Sequence, residues 1–98
     1  MASRQINWTA KANLERRDIL IYWIHRNKSK SYSIRLNEMF NQALKSLAEN
    51  PYTGRKTDYD NVRVKIVRDY FLIYEYDSTQ IKVLSVWDAR RDEKNIAI

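Results

Sequence analysis

Asn50-Pro51-Tyr52-Thr53-Gly54 holds the only proline and the only glycine of a 98-residue chain. Both residues interrupt regular structure, so this segment is the main punctuation of the sequence and divides it near the middle. The pattern of apolar residues differs on its two sides, and that difference sets the fold class.

On the N-terminal side, Tyr32, Leu36, Met39, Phe40, Ala43, Leu44 and Leu47 recur at helical spacing. One apolar stripe therefore runs along a predicted helix from about Ser31 to Glu49. Asn50 precedes a proline, which disfavours the α conformation there, so the helix should stop at or before Glu49. Upstream, Ala10, Ala12, Leu14, Glu15, Arg16 and Arg17 are good helix formers running into Ile19 to Ile24, which predicts a first helix from about Ala10 to Arg26. Asn27-Lys28-Ser29-Lys30 is short and polar, so the two helices should form an antiparallel hairpin. Thr9 reads as the N-cap of the first helix, and Ser29 or Ser31 as that of the second. Gln5-Ile6-Asn7-Trp8 alternates polar and apolar, as a short strand does.

Beyond Gly54 the period becomes two. Val62, Val64 and Ile66 alternate with Arg63 and Lys65, Tyr70 to Tyr76 is rich in aromatic and β-branched residues, and Ile81, Val83 and Trp87 alternate with Lys82 and Ser85. The short joints Arg68-Asp69 and Asp77-Ser78-Thr79 predict antiparallel hairpins. The expected fold is α+β: an N-terminal helical hairpin packed on one face of a small, mainly antiparallel sheet, one domain over residues 1–98.

Composition narrows the function classes. A 44% hydrophobic content with three Trp and seven Tyr belongs to a folded chain. The length suits one modest core and excludes separate cofactor and substrate domains. Absence of cysteine excludes disulfide scaffolds and thiolate-bound zinc. The longest strongly apolar run, Ile19 to Ile24, is far short of the roughly 20 residues of a membrane span. With no apolar segment after Met1 to Gln5, a cytoplasmic protein with no membrane partner is expected. The formal charge is +6. Residues 1–49 carry nine Lys and Arg against four Asp and Glu, residues 50–98 nine against eight, so most of the excess lies on the helices.

The strand half gathers its cations at Arg55-Lys56, Arg63, Lys65, Arg68 and Arg90-Arg91. Arg63 and Lys65 share one face of a strand, opposite Val62, Val64 and Ile66, and that face is expected to lie away from the core. It reads either as a cationic strip for RNA phosphates, together with Lys56 and Arg68, or as an ordinary solvated face. Asp88-Ala89-Arg90-Arg91-Asp92 places cations and carboxylates at a strand end. Metal-independent RNA cleavage needs a base for the 2′-hydroxyl and cations facing the phosphorane charge. Asp88 could fill the first role and Arg90 or Arg91 the second; a solvated charge run is the alternative. His25, the single histidine, reads as a cation at a helix C-terminus more readily than as a general base. No cofactor motif or metal-ligand cluster is present, so no cofactor and no metal are expected.

The succession of Trp8-Thr9, the helical hairpin, Asn50 to Arg55, Val62-Arg63, Asp69 to Glu75 and Ile81 to Asp92 resembles the RelE/ParE superfamily of toxins from bacterial type II toxin–antitoxin modules. The resemblance covers nearly the whole chain. It implies a growth-arresting toxin neutralised by a small cognate antitoxin. RelE-like members cleave mRNA in the ribosomal A site with Lys, Arg and Tyr or with a Glu, Arg and His set; ParE-like members lack that set and inhibit DNA gyrase. Here Phe71 stands where RelE-like nucleases commonly carry an arginine, and Asp88 where a histidine is often found. Arg63, Arg90 and Arg91 match motif positions. The basic strip and rim make a ribosome-dependent mRNA endonuclease the first expectation, with ribosome and mRNA as partners, and a gyrase inhibitor the alternative.

Overall fold

The computed structural model describes residues 3–90. Its elements are β1 (Gln5–Trp8), α1 (Ala10–Asn27), α2 (Ser31–Glu49), a 3₁₀ turn (Pro51–Thr53), β2 (Arg55–Lys56), β3 (Val62–Val67), β4 (Tyr70–Tyr76) and β5 (Gln80–Asp88). The strands form one sheet in the order β1-β5-β4-β3-β2. β1 is parallel to β5, and every other pair is antiparallel. Helices and principal strands therefore lie where the periodicity predicts them. The two-residue strand β2 is too short to leave a periodic signal.

Thr9 caps α1 as expected: its side chain accepts from the Ala12 amide at 3.1 Å. The start of α2 differs from the expected Ser29 or Ser31 cap. Its N-cap is Lys30, without a side-chain cap, two residues after Lys28 ends α1 in the left-handed conformation (φ 52°). Ser29 instead accepts from the Ser31 amide at 3.2 Å.

Both helices pack on one face of the sheet. Leu36, Phe40, Leu44 and Leu47, a single stripe of α2, are fully buried against Tyr70, Leu72, Tyr74, Ile81, Val83 and Val86. Ile19, Leu20 and Trp23 of α1 complete that layer from the side. No helix among the described residues is long and apolar enough to cross a membrane.

The register of β3 on β4 corrects the expected placement of its cations. Arg63 lies opposite Tyr74, Lys65 opposite Leu72 and Val67 opposite Tyr70. Directly opposite residues share a face. Tyr70, Leu72, Tyr74 and Val67 all belong to the core with α2, so Arg63 and Lys65 point to the helix-bearing face and not away from it. The other face carries Val62, Val64 and Ile66 beside Phe71 and Ile73. Val62 and Ile73 are buried without joining the helix-side core. The sheet is thus apolar on both faces, which is why an alternating strand gave the wrong side.

Candidate functional site: three separate groups of charge

The cations and the carboxylate singled out by the sequence do not converge. Arg63 and Asp88 sit opposite Tyr74 and Tyr70, respectively, so they lie four positions apart along β4 and on strands to either side of it. At the rise of a strand this separates them by roughly 13 Å lengthwise alone.

Arg63 is committed to the chain's central loop. Its Nη1 donates to the carbonyls of Gly54 (2.9 Å) and Tyr52 (3.2 Å). The guanidinium also lies 5.8 Å from the ring centre of Tyr52 and 6.0 Å from that of Tyr76. Its Nε is buried with no hydrogen-bond partner among the described residues. Beside it, the Tyr74 hydroxyl donates to the Pro51 carbonyl at 2.6 Å, and burial pushes its pKa up to about 12. Gly54 has ordinary extended backbone, but a Cβ there would overlap the Tyr74 hydroxyl. The loop therefore packs carbonyl-first onto the sheet, with Arg63 and Tyr74 satisfying oxygens that the 3₁₀ turn leaves open. Lys56, on the edge strand β2 opposite Arg63, is exposed at this same end.

Asp88 and Arg90 form the second group. Asp88 Oδ1 accepts from the Arg90 amide (2.9 Å) and Nε (3.0 Å), and Oδ2 accepts from Nη2 at 2.8 Å. That fork pushes the Arg90 pKa up. The guanidinium lies 5.6 Å from the ring centre of Trp23, whose indole N–H donates to the Tyr70 hydroxyl at 2.7 Å. Burial raises the Tyr70 pKa as well. A carboxylate that accepts three donors from one arginine is held as that arginine's partner and not poised as a proton acceptor. Arg91 lies outside the described residues.

Sequence reading missed what stands beside this fork. A cavity of about 490 Å³ between α1 and β5 is lined by Glu15, Asp18, Tyr22, Tyr70, Trp87 and the Asp88–Arg90 pair. Glu15 accepts from the Ser85 hydroxyl (2.9 Å), the Val86 amide (3.1 Å) and Lys11 (3.0 Å). It thereby holds β5 where its register slips by one residue opposite Ile73 and Tyr74. In sequence Glu15 is one of two acids, with Asp18, among the four Lys and Arg of α1, and nothing there marks it. Its partners are about 70 positions away, beyond the reach of any local pattern.

Lys65 and Arg68 make the third group. Both line a groove between α2 and β3, facing Arg35 and Glu38. His25 is exposed in the last turn of α1. Among the described residues no cluster of three or more His, Cys, Asp or Glu is placed to hold a metal ion.

The family model described as "ParE toxin of type II toxin-antitoxin system, parDE" matches residues 6–93. The chain belongs to the ParE toxin family. A solved structure described as the chromosomal ParDE toxin–antitoxin system from P. aeruginosa shares the fold at a TM-score of 0.75 and 14% identity, covering 90% of this chain and 98% of that one. No match was found among curated proteins. The ParE match accounts for the order of elements from β1 onward, and the RelE/ParE resemblance read from the sequence holds.

Proposed function

We propose that this ParE-family chain arrests growth by binding DNA gyrase, with no nuclease chemistry of its own, and that a cognate antitoxin neutralises it in the cytoplasm. The observation that carries the reading is the commitment of Arg63. Its guanidinium donates to two loop carbonyls and lies a strand's length from the Asp88–Arg90 fork. Transition-state stabilisation of RNA cleavage needs cations and a base converging within hydrogen-bond reach of one phosphate. Phe71 in place of the arginine that RelE-like nucleases commonly carry points the same way. A supercoiling assay with purified toxin should show inhibition at stoichiometric excess over gyrase, while mRNA in a translation extract stays intact.

One observation favours the endonuclease reading. Arg90 and Arg68 stand beside Ala89 and Asp69 in sequence, and the Ala89 amide donates to the Asp69 carbonyl at 2.7 Å, so the two cations leave the sheet at the same end although their side chains line different cavities. Under that reading Arg90 would face the scissile phosphate, with Asp88 as the base. Site-specific transcript cuts that vanish in Arg90→Ala, with normal supercoiling, would replace the gyrase reading by this one.

A further inference from the structure

The hairpin turn between α1 and α2, the β3–β4 turn and the end of β5 lie together at one end of the molecule. Trp23 of α1 bonds the Tyr70 hydroxyl at the start of β4, Arg90 lies 5.6 Å from the ring centre of Trp23, and Tyr32 at the start of α2 meets Trp23 edge-on at 4.9 Å. Tyr32 also lines the α2–β3 groove with Arg35 and Arg68, which sets the hairpin turn beside the β3–β4 turn. This end is basic. Arg26, Lys28, Lys30, Arg35, Arg68 and Arg90 are all exposed there, and the carboxylates among them are Glu38, Asp69 and Asp88. Asp88 is taken by Arg90, whereas none of the other five cations forms an ion pair among the described residues.

Two further observations bear on what this end binds. Among the described residues, the non-glycine positions with left-handed backbone are Lys28 (φ 52°) and Arg68 (φ 55°), one in each of these turns. Glycine takes that conformation at less cost, so both turns keep a cation in spite of strain. The aromatic rings, by contrast, are packed on one another: Trp23 meets Tyr22 and Tyr32 edge-on and bonds Tyr70, which is 2% exposed. Of these four rings only Tyr22 is exposed, and it stands over the cavity walled by Glu15, Asp18 and Asp88. Single-stranded nucleic acids are held by stacking bases on open rings, whereas duplex DNA is held by charges on its phosphates. An end that offers unpaired cations and no ring clear of carboxylates suits the duplex.

We infer that this end of the chain is a docking surface for the phosphate backbone of duplex DNA. The inference rests on the gyrase reading and deepens it: the toxin meets gyrase together with the DNA that the enzyme holds. Five unpaired cations set the salt dependence, because log affinity falls against log salt with a slope of about −0.9 for each phosphate neutralised on B-DNA. The expected slope is therefore roughly −4 to −5, which lowers affinity about 500-fold between about 50 and 200 mM salt.

Fluorescence anisotropy of a labelled short duplex of arbitrary sequence with the purified full chain reads that slope directly. The variant R26Q/K28Q/K30Q should bring it to about −2, and circular dichroism should show the fold intact because all three side chains are exposed. The matched variant R17Q/K45Q/R55Q removes the same charge from the middle of α1, the last turns of α2 and the start of β2, and should keep the wild-type slope. In a supercoiling assay the first variant should need about tenfold more protein for half inhibition, and the second the same amount as wild type. Equal slopes for the two variants, equal inhibition by them, or tighter binding to single-stranded RNA of the same length would overturn the inference. Normal supercoiling with excess wild-type chain would instead remove the gyrase reading, while the slope on the duplex still decides whether this end holds DNA.

Discussion

Two residues of the central loop are fixed by space and by hydrogen bonding rather than by catalysis. Gly54 faces the hydroxyl of a tyrosine that is fully buried, so the ring has nowhere to retreat. Gly54→Ala should therefore cost about 1–3 kcal/mol, the usual range for overpacking a filled site. An unchanged urea midpoint would show that the loop moves away freely. Arg63→Ala should lower stability by a similar amount, about 1–3 kcal/mol, because two loop carbonyls lose a charged donor. Tyr74 supplies the pH dependence. Its folded pKa of about 12 lies above the ordinary tyrosine value near 10, so the neutral form is favoured in the folded state. Its contribution is fully present below pH 10 and is lost as pH rises towards 12. Thermal melts across that window should show the decline, and Tyr74→Phe should flatten it.

The two helices owe their stability to different things. α2 is held by its buried stripe, and Phe40→Ala at its centre should cost about 3–5 kcal/mol. α1 buries only Ala12 completely and depends on its ends and on Glu15. Lys28 at its C-cap pays for a left-handed backbone (φ 52°), and Lys28→Gly should stabilise the protein by about 0.5–1 kcal/mol. A fall in melting temperature would mean that the lysine side chain makes up for the strain. These differences were partly legible. Leu36, Phe40, Leu44 and Leu47 announce a core helix by spacing, and Thr9 announces a cap by residue type. Glu15 announced nothing, because its work is done on β5.

Across the whole molecule, the first and last described strands are neighbours. β1 lies parallel to β5, and the Thr9 amide donates to the Val83 carbonyl at 3.0 Å. The chain's two halves therefore share one sheet and one core, and unfolding should be a single cooperative event. Tryptophan fluorescence reports Trp8, Trp23 and Trp87, which lie on β1, α1 and β5, and far-ultraviolet circular dichroism reports the backbone. The two transitions should coincide in urea; separated midpoints would show that the β1–β5 seam opens first.

Local patterns alone determined the helical hairpin, the three principal strands and the break at Asn50 to Gly54. Each is set by nearest-neighbour chemistry: apolar spacing, a proline's restraint, a capping hydroxyl. Which face of β3 meets the helices was decided only in three dimensions, because a strand with apolar residues on both sides carries no sign of its orientation. The same holds for the cations. Arg63, Lys65 and Arg90 look alike in sequence, yet register makes one a loop clamp, one the rim of a groove and one the partner of Asp88. A charge takes its role from what lies opposite it, and that is fixed by strand pairing and not by the charge itself.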